Sequence, residues 1–422
     1  MKFIKNIWGK WWFKALIIGI VIRVVLMPIT VHPDLWGHSF TAYFLAYRGE
    51  LNIYDFLLGL PNDYPLVVNF GVNDIFIYPP LTYFTLGLFR FLVKPLADPN
   101  FIPWLMSNVG NFYEFPKVGL QIFLFKLPYL FIDIASAFLL SSLFTDPSKK
   151  KQAFKLWMFN PLTFYATFMM GQLDILPVFF TILACYLFKN KKMNWGLFAL
   201  GIGGAYKMYP LLLIPAAAFL FGETFWKKVK LIAVGLLPYV LTIAPYLMSK
   251  GFRSMVLFGS KETKMLFMNW SVTGAESVFP FILLLVVIYL ISYYSKNKIA
   301  IEYYFLAILL LIFATSSYHP QWFLWVTPFL IYALVKNSFK YIELVITLFV
   351  CWLIITMFFE ASLSYGLFAP IWPKLTEATG LTGVLSKYMD VFQFKSIIRS
   401  IFAGVSLFLA YKLFKNEDLQ KN

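Results

Sequence analysis

Apolar runs long enough to cross a bilayer recur from end to end of this chain, and that feature removes most of the folds open to 422 residues. A hydrocarbon core of ~30 Å is crossed by about 17–25 apolar residues as a helix. Lipid offers no partners to backbone N–H and C=O groups, so such runs must be helical. The balance of residues agrees: 60% are hydrophobic, 20% aromatic and only 13% charged, more apolar surface than a soluble domain can hide. Hydropathy predicts roughly ten to thirteen spans. The chain reads as an all-α polytopic membrane protein, one membrane-embedded domain over residues 1–422.

The net charge of +16 does not require nucleic acid, and no nucleic-acid partner is expected. Lysines cluster in short connections: Lys2, Lys5, Lys10 and Lys14; Lys149–Lys151 with Lys155; Lys189, Lys191 and Lys192; Lys227, Lys228 and Lys230; Lys296 and Lys298; Lys336 and Lys340; Lys412 and Lys415. By the positive-inside rule these are cytoplasmic ends, including the N-terminus 1–14 and the tail 415–422. Residues 15–31 run straight into "HPDLW" with no small-residue cleavage site, which predicts an uncleaved signal anchor. The outer segments are then a long loop 32–74 carrying short interfacial helices, the turn "GQLD", the region of Lys207, the loop 249–275, the turn "SSYHPQW" and the long loop 359–395. One stretch conflicts with this count. If 75–93 and 119–144 both cross, Lys149–Lys151 fall outside; tandem Pro79–Pro80 and the charge of Arg90 make 75–93 a candidate re-entrant segment. Both cysteines lie in apolar spans, which speaks against a disulfide or a cysteine metal site. The Lys, Phe, Ile and Asn bias points to an AT-rich prokaryotic genome and its cytoplasmic membrane.

The expected outer segments are long and hold all three histidines and most carboxylates, so chemistry belongs on that face. There is no GxxxxGK[ST] and no GxGxxG after a strand. A reaction there needs a donor already activated and already across the membrane. In "VHPDLWGHSF", Asp34 is placed to act as a general base, or to cap the helix that follows; His32 and His38 flank it, and a metal site on the three matches no established spacing. Asp74 in "NDIFIYPPLTYF" is a second acid or an interfacial turn residue, and Tyr78 is an interface aromatic. Lys207 in "GIGGAYKMYPLLLIP" is a charge at membrane depth, hence a functional candidate. Its partner is a phosphate, or it snorkels, or it pairs with Asp174. Arg253, Lys261 and Lys264 are basic where lysine is otherwise scarce, which suggests an anionic partner. His319 in "SSYHPQWFLW" heads a broken helix, with Gln321, Trp322 and Trp325 after it. In 159–188 lysines bracket both ends, so the stretch is a tight pair of arms with Gln172 and Asp174 at the turn, Asp174 capping the returning helix before Pro177 or facing the pocket.

In their order, these segments resemble the GT-C superfamily of membrane glycosyltransferases, over about residues 20 to 330. "YPPLTYF" and "AYKMYP" are similar to segments of the glucosyltransferases that extend dolichol-linked oligosaccharide. "FNPL", "GQLD" and "AYKMYP" look more like polyprenyl-phosphomannose-dependent mannosyltransferases of bacteria and the first mannosyltransferase of GPI-anchor synthesis. That last enzyme has a DxD pair in its first loop, whereas "HPDLW" holds one Asp. The resemblance implies a GT-C fold and an inverting transfer of a sugar, mannose by this likeness alone, from a polyprenyl phosphate to a lipid-linked or cell-envelope glycan, with no cofactor and no metal. Asp34 would be the base and His319 a second catalytic group. Lys207, His319, Arg253 and Lys261 would hold the donor phosphate, and His32, His38, Asp74, Tyr78, Gln172, Asp174, Tyr209, Gln321 and Trp322 would shape the pocket. A transporter or flippase of lipid-linked sugars, and a polyprenyl-diphosphate-dependent polymerase or ligase, remain open. A transporter is expected to show internal repeats, and none is evident.

Overall fold

The computed structural model describes residues 10–295 and 299–420, except for the side chains of residues 73, 260–262 and 416–420. Lys2, Lys5, Lys296 and Lys298 therefore lie outside the described residues. Within them the chain is almost wholly helical; its one β element is a two-stranded ribbon, Trp270–Ser271 with Ser277–Val278. The main helices are α1 (Phe13–Ile29), α2 (Asp34–Arg48), α3 (Pro80–Val93), α4 (Val118–Ser142), α5 (Pro147–Met158), α6 (Ile175–Lys189), α7 (Met193–Tyr206), α8 (Leu213–Phe221), α9 (Phe225–Ile243), α10 (Pro280–Tyr294), α11 (Ile301–Thr315), α12 (Thr327–Lys336), α13 (Ile342–Met357) and α14 (Val391–Gln420).

Among the described residues three stretches are long and apolar enough to cross a membrane: Val118–Ser142, Phe225–Tyr246 and Val391–Lys415. The pair α1 and α2 would add a fourth, but it bends by 86°. Further apolar helices of 10–17 residues include α6, α10, α11 and α13. The larger hydropathy count thus takes in segments that the structure divides into shorter helices, several of which begin at a proline, where the missing N–H costs nothing. The outward faces are apolar: Leu237, Val240 and Leu241 on α9, Val286 and Leu290 on α10, and Ile397, Ile401 and Phe408 on α14 are exposed. Such faces suit a lipid solvent and are compatible with an integral membrane protein. Helix α11 is the opposite case. Apart from Ala314 all of its residues are buried, and it packs against α8, α10, α12 and α14, as an all-round apolar helix must.

Two buried cations tie the N-terminal half together. Arg23 on α1 donates from Nε to Asp133 Oδ2 of α4 at 2.7 Å and from Nη1 to the carbonyls of Gly19 and Met158. Trp157 Nε1 donates to Asp133 Oδ1 at 2.9 Å, which brings in α5. Lys126 on α4 is fully buried and its ammonium donates to four carbonyls, those of Met27, Thr30, Phe168 and Met169, at 2.6–3.1 Å. These are carbonyls freed at the end of α1 and at the end of the π-helical turn Phe164–Met169. One ammonium satisfies both, so the α1–α2 bend and the turn 170–174 are held side by side.

Residues 159–188 do form two arms, Pro161–Met169 and α6, with Met170–Asp174 between them. All five turn residues are buried. Gly171 has φ +82°, and a Cβ there would come within 3.0 Å of Lys126 Cε and 3.1 Å of Leu35 Cδ1. A left-handed L-residue costs roughly 1–2 kcal/mol. Gly171→Ala is expected to lower the melting temperature of the detergent-solubilised protein; an unchanged temperature would mean that the turn is not held as described.

The first loop, 32–74, contains α2 and three short helices, Ile53–Leu58, Pro65–Phe70 and Val72–Ile75. Helix α3 begins at Pro80 and has 14 residues, about 21 Å. It packs chiefly on α2, with Gly87 so close to Leu45 that a Cβ would sit 2.2 Å from Cδ2. It also packs on α4, α7 and α9.

Candidate functional site

The site forms where four chain breaks meet: the α1–α2 bend, the turn 170–174, the end of α7 and the turn 316–325. At the bend Val31 N–H donates to the Leu367 carbonyl and His32 N–H to that of Met170, so Asp34 opens α2 beside the buried turn. Its side chain makes no capping bond to α2. Instead Oδ2 accepts from Gln172 Nε2 at 2.8 Å and lies 3.5 Å from His32 Nδ1, and the side chain stays 44% exposed. Burial works to raise the Asp34 pKa. The hydrogen bond and charge of His32, then the charges of His319 and His38, outweigh it and hold the carboxyl below the usual range. Asp34 is therefore a carboxylate at neutral pH, with an outer side open.

Helix α7 ends at Tyr206, and Lys207 is extended (φ −156°) before Pro210 starts the short helix Tyr209–Leu212. Gly203 and Gly204 let that helix fold back, since a Cβ at Gly204 would sit 2.2 Å from Leu211. Lys207 Nζ then donates to Asp174 Oδ1 at 2.8 Å, with Asp174 fully buried. Trp325 Nε1 donates to the same oxygen. Asp174 does not cap α6, although it immediately precedes it. The ion pair is one of the readings open for these two residues, and the structure contains it. It also leaves Asp174 Oδ2 without a hydrogen-bond partner among the described residues.

The paired Lys207 borders a cavity of about 150 Å³ lined also by Tyr78, Tyr209, Lys264, Trp322 and Trp325. Tyr209 stacks on Trp325 with ring centres 4.2 Å apart, and Trp325 on Trp322 at 4.9 Å. Lys207 lies 5.4 Å from the Trp322 ring centre and Lys264 lies 5.5 Å from it. The cavity thus has a flat aromatic wall, suited to a sugar face or an isoprene unit, and two ammonium groups above it. The carboxylate and the cations are joined by one turn: Asp34 accepts from Gln172, and Asp174 two residues on holds Lys207. Tyr78 connects them: its ring is 5.2 Å from that of His38 and 5.6 Å from Lys207 Nζ.

His319 lies 5.9 Å from His32, ring to ring, and 5.8 Å from Phe359. Its Nδ1 contacts Gln321 Oε1. Burial first, then Lys207 and Lys264 among its neighbours, lower its pKa from 6.5 to about 3 against the opposing pull of Asp34. The sign of the linkage follows: between about pH 6.5 and 3 the unfolded chain binds a proton here that the folded chain refuses, so stability falls as pH falls through that window. His319→Asn is expected to flatten the loss of melting temperature between pH 7 and pH 5; an identical slope would remove His319 as a contributor.

The other expected residues divide. His32, His38, Tyr78, Gln172, Asp174, Tyr209, Gln321 and Trp322 gather at or behind this region. Asp74 is exposed and Arg253 half-buried, on Val72–Ile75 and Arg253–Leu257, which pack together and do not line the cavity. The Lys261 side chain lies outside the described residues. Among the described basic side chains of that loop, Lys264 lines the cavity. Lys126 went unread in the sequence, though the signal that singled out Lys207, a lysine inside an apolar run, applies to it equally. Among the described residues no three His, Cys, Asp or Glu side chains converge to hold a metal ion, His32, Asp34 and His38 included. The chain matches no protein-family model and shows no significant similarity to a curated protein.

Proposed function

We propose that the chain is an inverting glycosyltransferase that takes a sugar from a polyprenyl phosphate and gives it to a hydroxyl of a lipid-linked or envelope glycan. The observation that carries this reading is a half-exposed, ionised Asp34 tied by Gln172 to the turn whose Asp174 holds Lys207, at a cavity with an aromatic wall and two ammonium groups. In the displacement, Asp34 takes the hydroxyl proton while that oxygen bonds to the anomeric carbon. The anomeric C–O bond to phosphate breaks, and polyprenyl phosphate leaves with the electron pair. A carboxylate with a depressed pKa is a weak base, so its contribution rests on position: the hydroxyl proton becomes acidic only as the new bond forms. Lys207 and Lys264 face the charge that develops on the leaving group. Lys207 is already paired with Asp174, which fixes its ammonium in place before the substrate arrives. Mannose as the sugar, the GT-C fold and the placement of the site on the outer face of a prokaryotic membrane come from the sequence resemblance and the charge pattern.

The test is to incubate the purified protein with a panel of polyprenyl-phosphate sugars and glycolipid acceptors and to weigh the products. A new glycosidic product with release of polyprenyl phosphate is expected. Translocation across proteoliposomes with no bond formed would assign the chain to transport instead, and a requirement for a diphosphate donor would assign it to the polymerases or ligases.

A further inference from the structure

A larger recess of about 510 Å³ adjoins the segment that carries Lys264. Lys264 and Met265 line the first cavity, and Phe267 and Met268 line the second. Its cationic wall is α14, where Lys395 and Arg399 stand one turn apart and half-buried. Facing them is the end of α11 with Ser316 and Ser317. No carboxylate lines this recess, and none pairs with either cation among the described residues. Lys395 spends one donor on the Phe358 carbonyl at 3.1 Å. The Arg399 guanidinium lies 5.1 Å from the Tyr318 ring centre, a stacking that leaves its edge N–H groups to a ligand.

Two like charges held close together in a half-buried recess repel each other and lose hydration unless an anion enters. Their position in the chain sharpens the point. Lys395 closes the expected outer loop 359–395, and Arg399 follows one turn further along α14. A row of side chains links the recess to Asp34. Lys395 lies 4.9 Å from the Phe359 ring, Phe359 packs on His319, and His319 on His32 beside Asp34.

We propose that this recess binds the phosphate or diphosphate of a second lipid-linked substrate, the acceptor, so that two anionic lipids approach Asp34 from two cationic pockets. The anion chemistry stands on the recess alone; calling its ligand the acceptor rests on the glycosyl-transfer reading.

The test uses the full chain in neutral detergent, with farnesyl diphosphate and inorganic pyrophosphate titrated by calorimetry, and phosphatidylglycerol as competitor. Arg399→Gln is expected to weaken farnesyl diphosphate binding by about tenfold, with Arg399→Lys recovering most of it and phosphatidylglycerol competing poorly. Pyrophosphate is expected to bind the same site more weakly, because the recess also presents apolar surface. Unchanged affinity in both Arg399→Gln and Lys395→Gln would overturn the proposal. So would equal competition by phosphatidylglycerol, or loss of binding on Lys264→Gln alone. In transfer assays Arg399→Gln should raise the acceptor KM and leave the donor KM unchanged; an unchanged acceptor KM would overturn the acceptor assignment. Tight diphosphate binding by a chain that forms no glycosidic product would instead reject the transfer reading and keep the anion site.

Discussion

Asp34→Asn is expected to slow transfer by about 10²–10⁴-fold, the usual worth of a positioned general base, while donor affinity stays the same. The substitution is nearly isosteric and the fold should accept it. The Asp34 side chain makes no capping bond to its helix, and the amide oxygen of an asparagine can still accept from Gln172 Nε2, the contact that Oδ2 makes at 2.8 Å. What is lost is the negative charge and the lone pair that receives a hydroxyl proton. Initial rates with saturating acceptor, set beside donor titration by calorimetry, separate the two effects. Wild-type turnover in this variant would remove Asp34 from the chemistry, and a parallel loss of donor binding would make it a binding residue.

Arg23→Met is expected to destabilise the protein by about 3–5 kcal/mol, the range for breaking a buried ion pair by removing one partner. Both side chains of the Arg23–Asp133 pair have no exposure. Without Arg23, Asp133 keeps only the indole N–H of Trp157, and the Met158 carbonyl loses a donor. The double variant Arg23→Met/Asp133→Leu should recover most of the loss, because an apolar pair of similar volume leaves no orphaned charge. Thermal unfolding in detergent checks both. Equal stability of Arg23→Met and the wild type would mean that α1, α4 and α5 are held by packing alone.

The legible parts of this protein were those set by local chemistry. Lysine clusters at both ends of 159–188 made that stretch two arms, and the arms are there, with Gly171 in the left-handed turn between them. The apolar segment expected over 75–93 is there as α3, though it is helical only from Pro80. The readings of Asp34 and Asp174 as helix caps were locally reasonable, since each stands at a helix start. Neither side chain caps, because each has a stronger partner elsewhere: Gln172 for Asp34 and Lys207 for Asp174. Asp74 and Asp34 looked alike as acidic residues of the same loop. Only the packing of Val72–Ile75 against Arg253–Leu257 separates Asp74 from the cavity.

The sequence by itself determined that the chain is helical, that its helices turn apolar faces outward and that its polar groups collect at breaks between them. Those properties follow from solvation and from the backbone's need for partners, and both act residue by residue. Tertiary structure decided which charges meet. Arg23 finds Asp133 across 110 residues, Lys126 finds carbonyls 42–99 residues away, and Lys207 finds Asp174 across 33. Coulomb attraction and hydrogen bonding depend on distance in space, and the spacing of residues along an apolar run does not encode it.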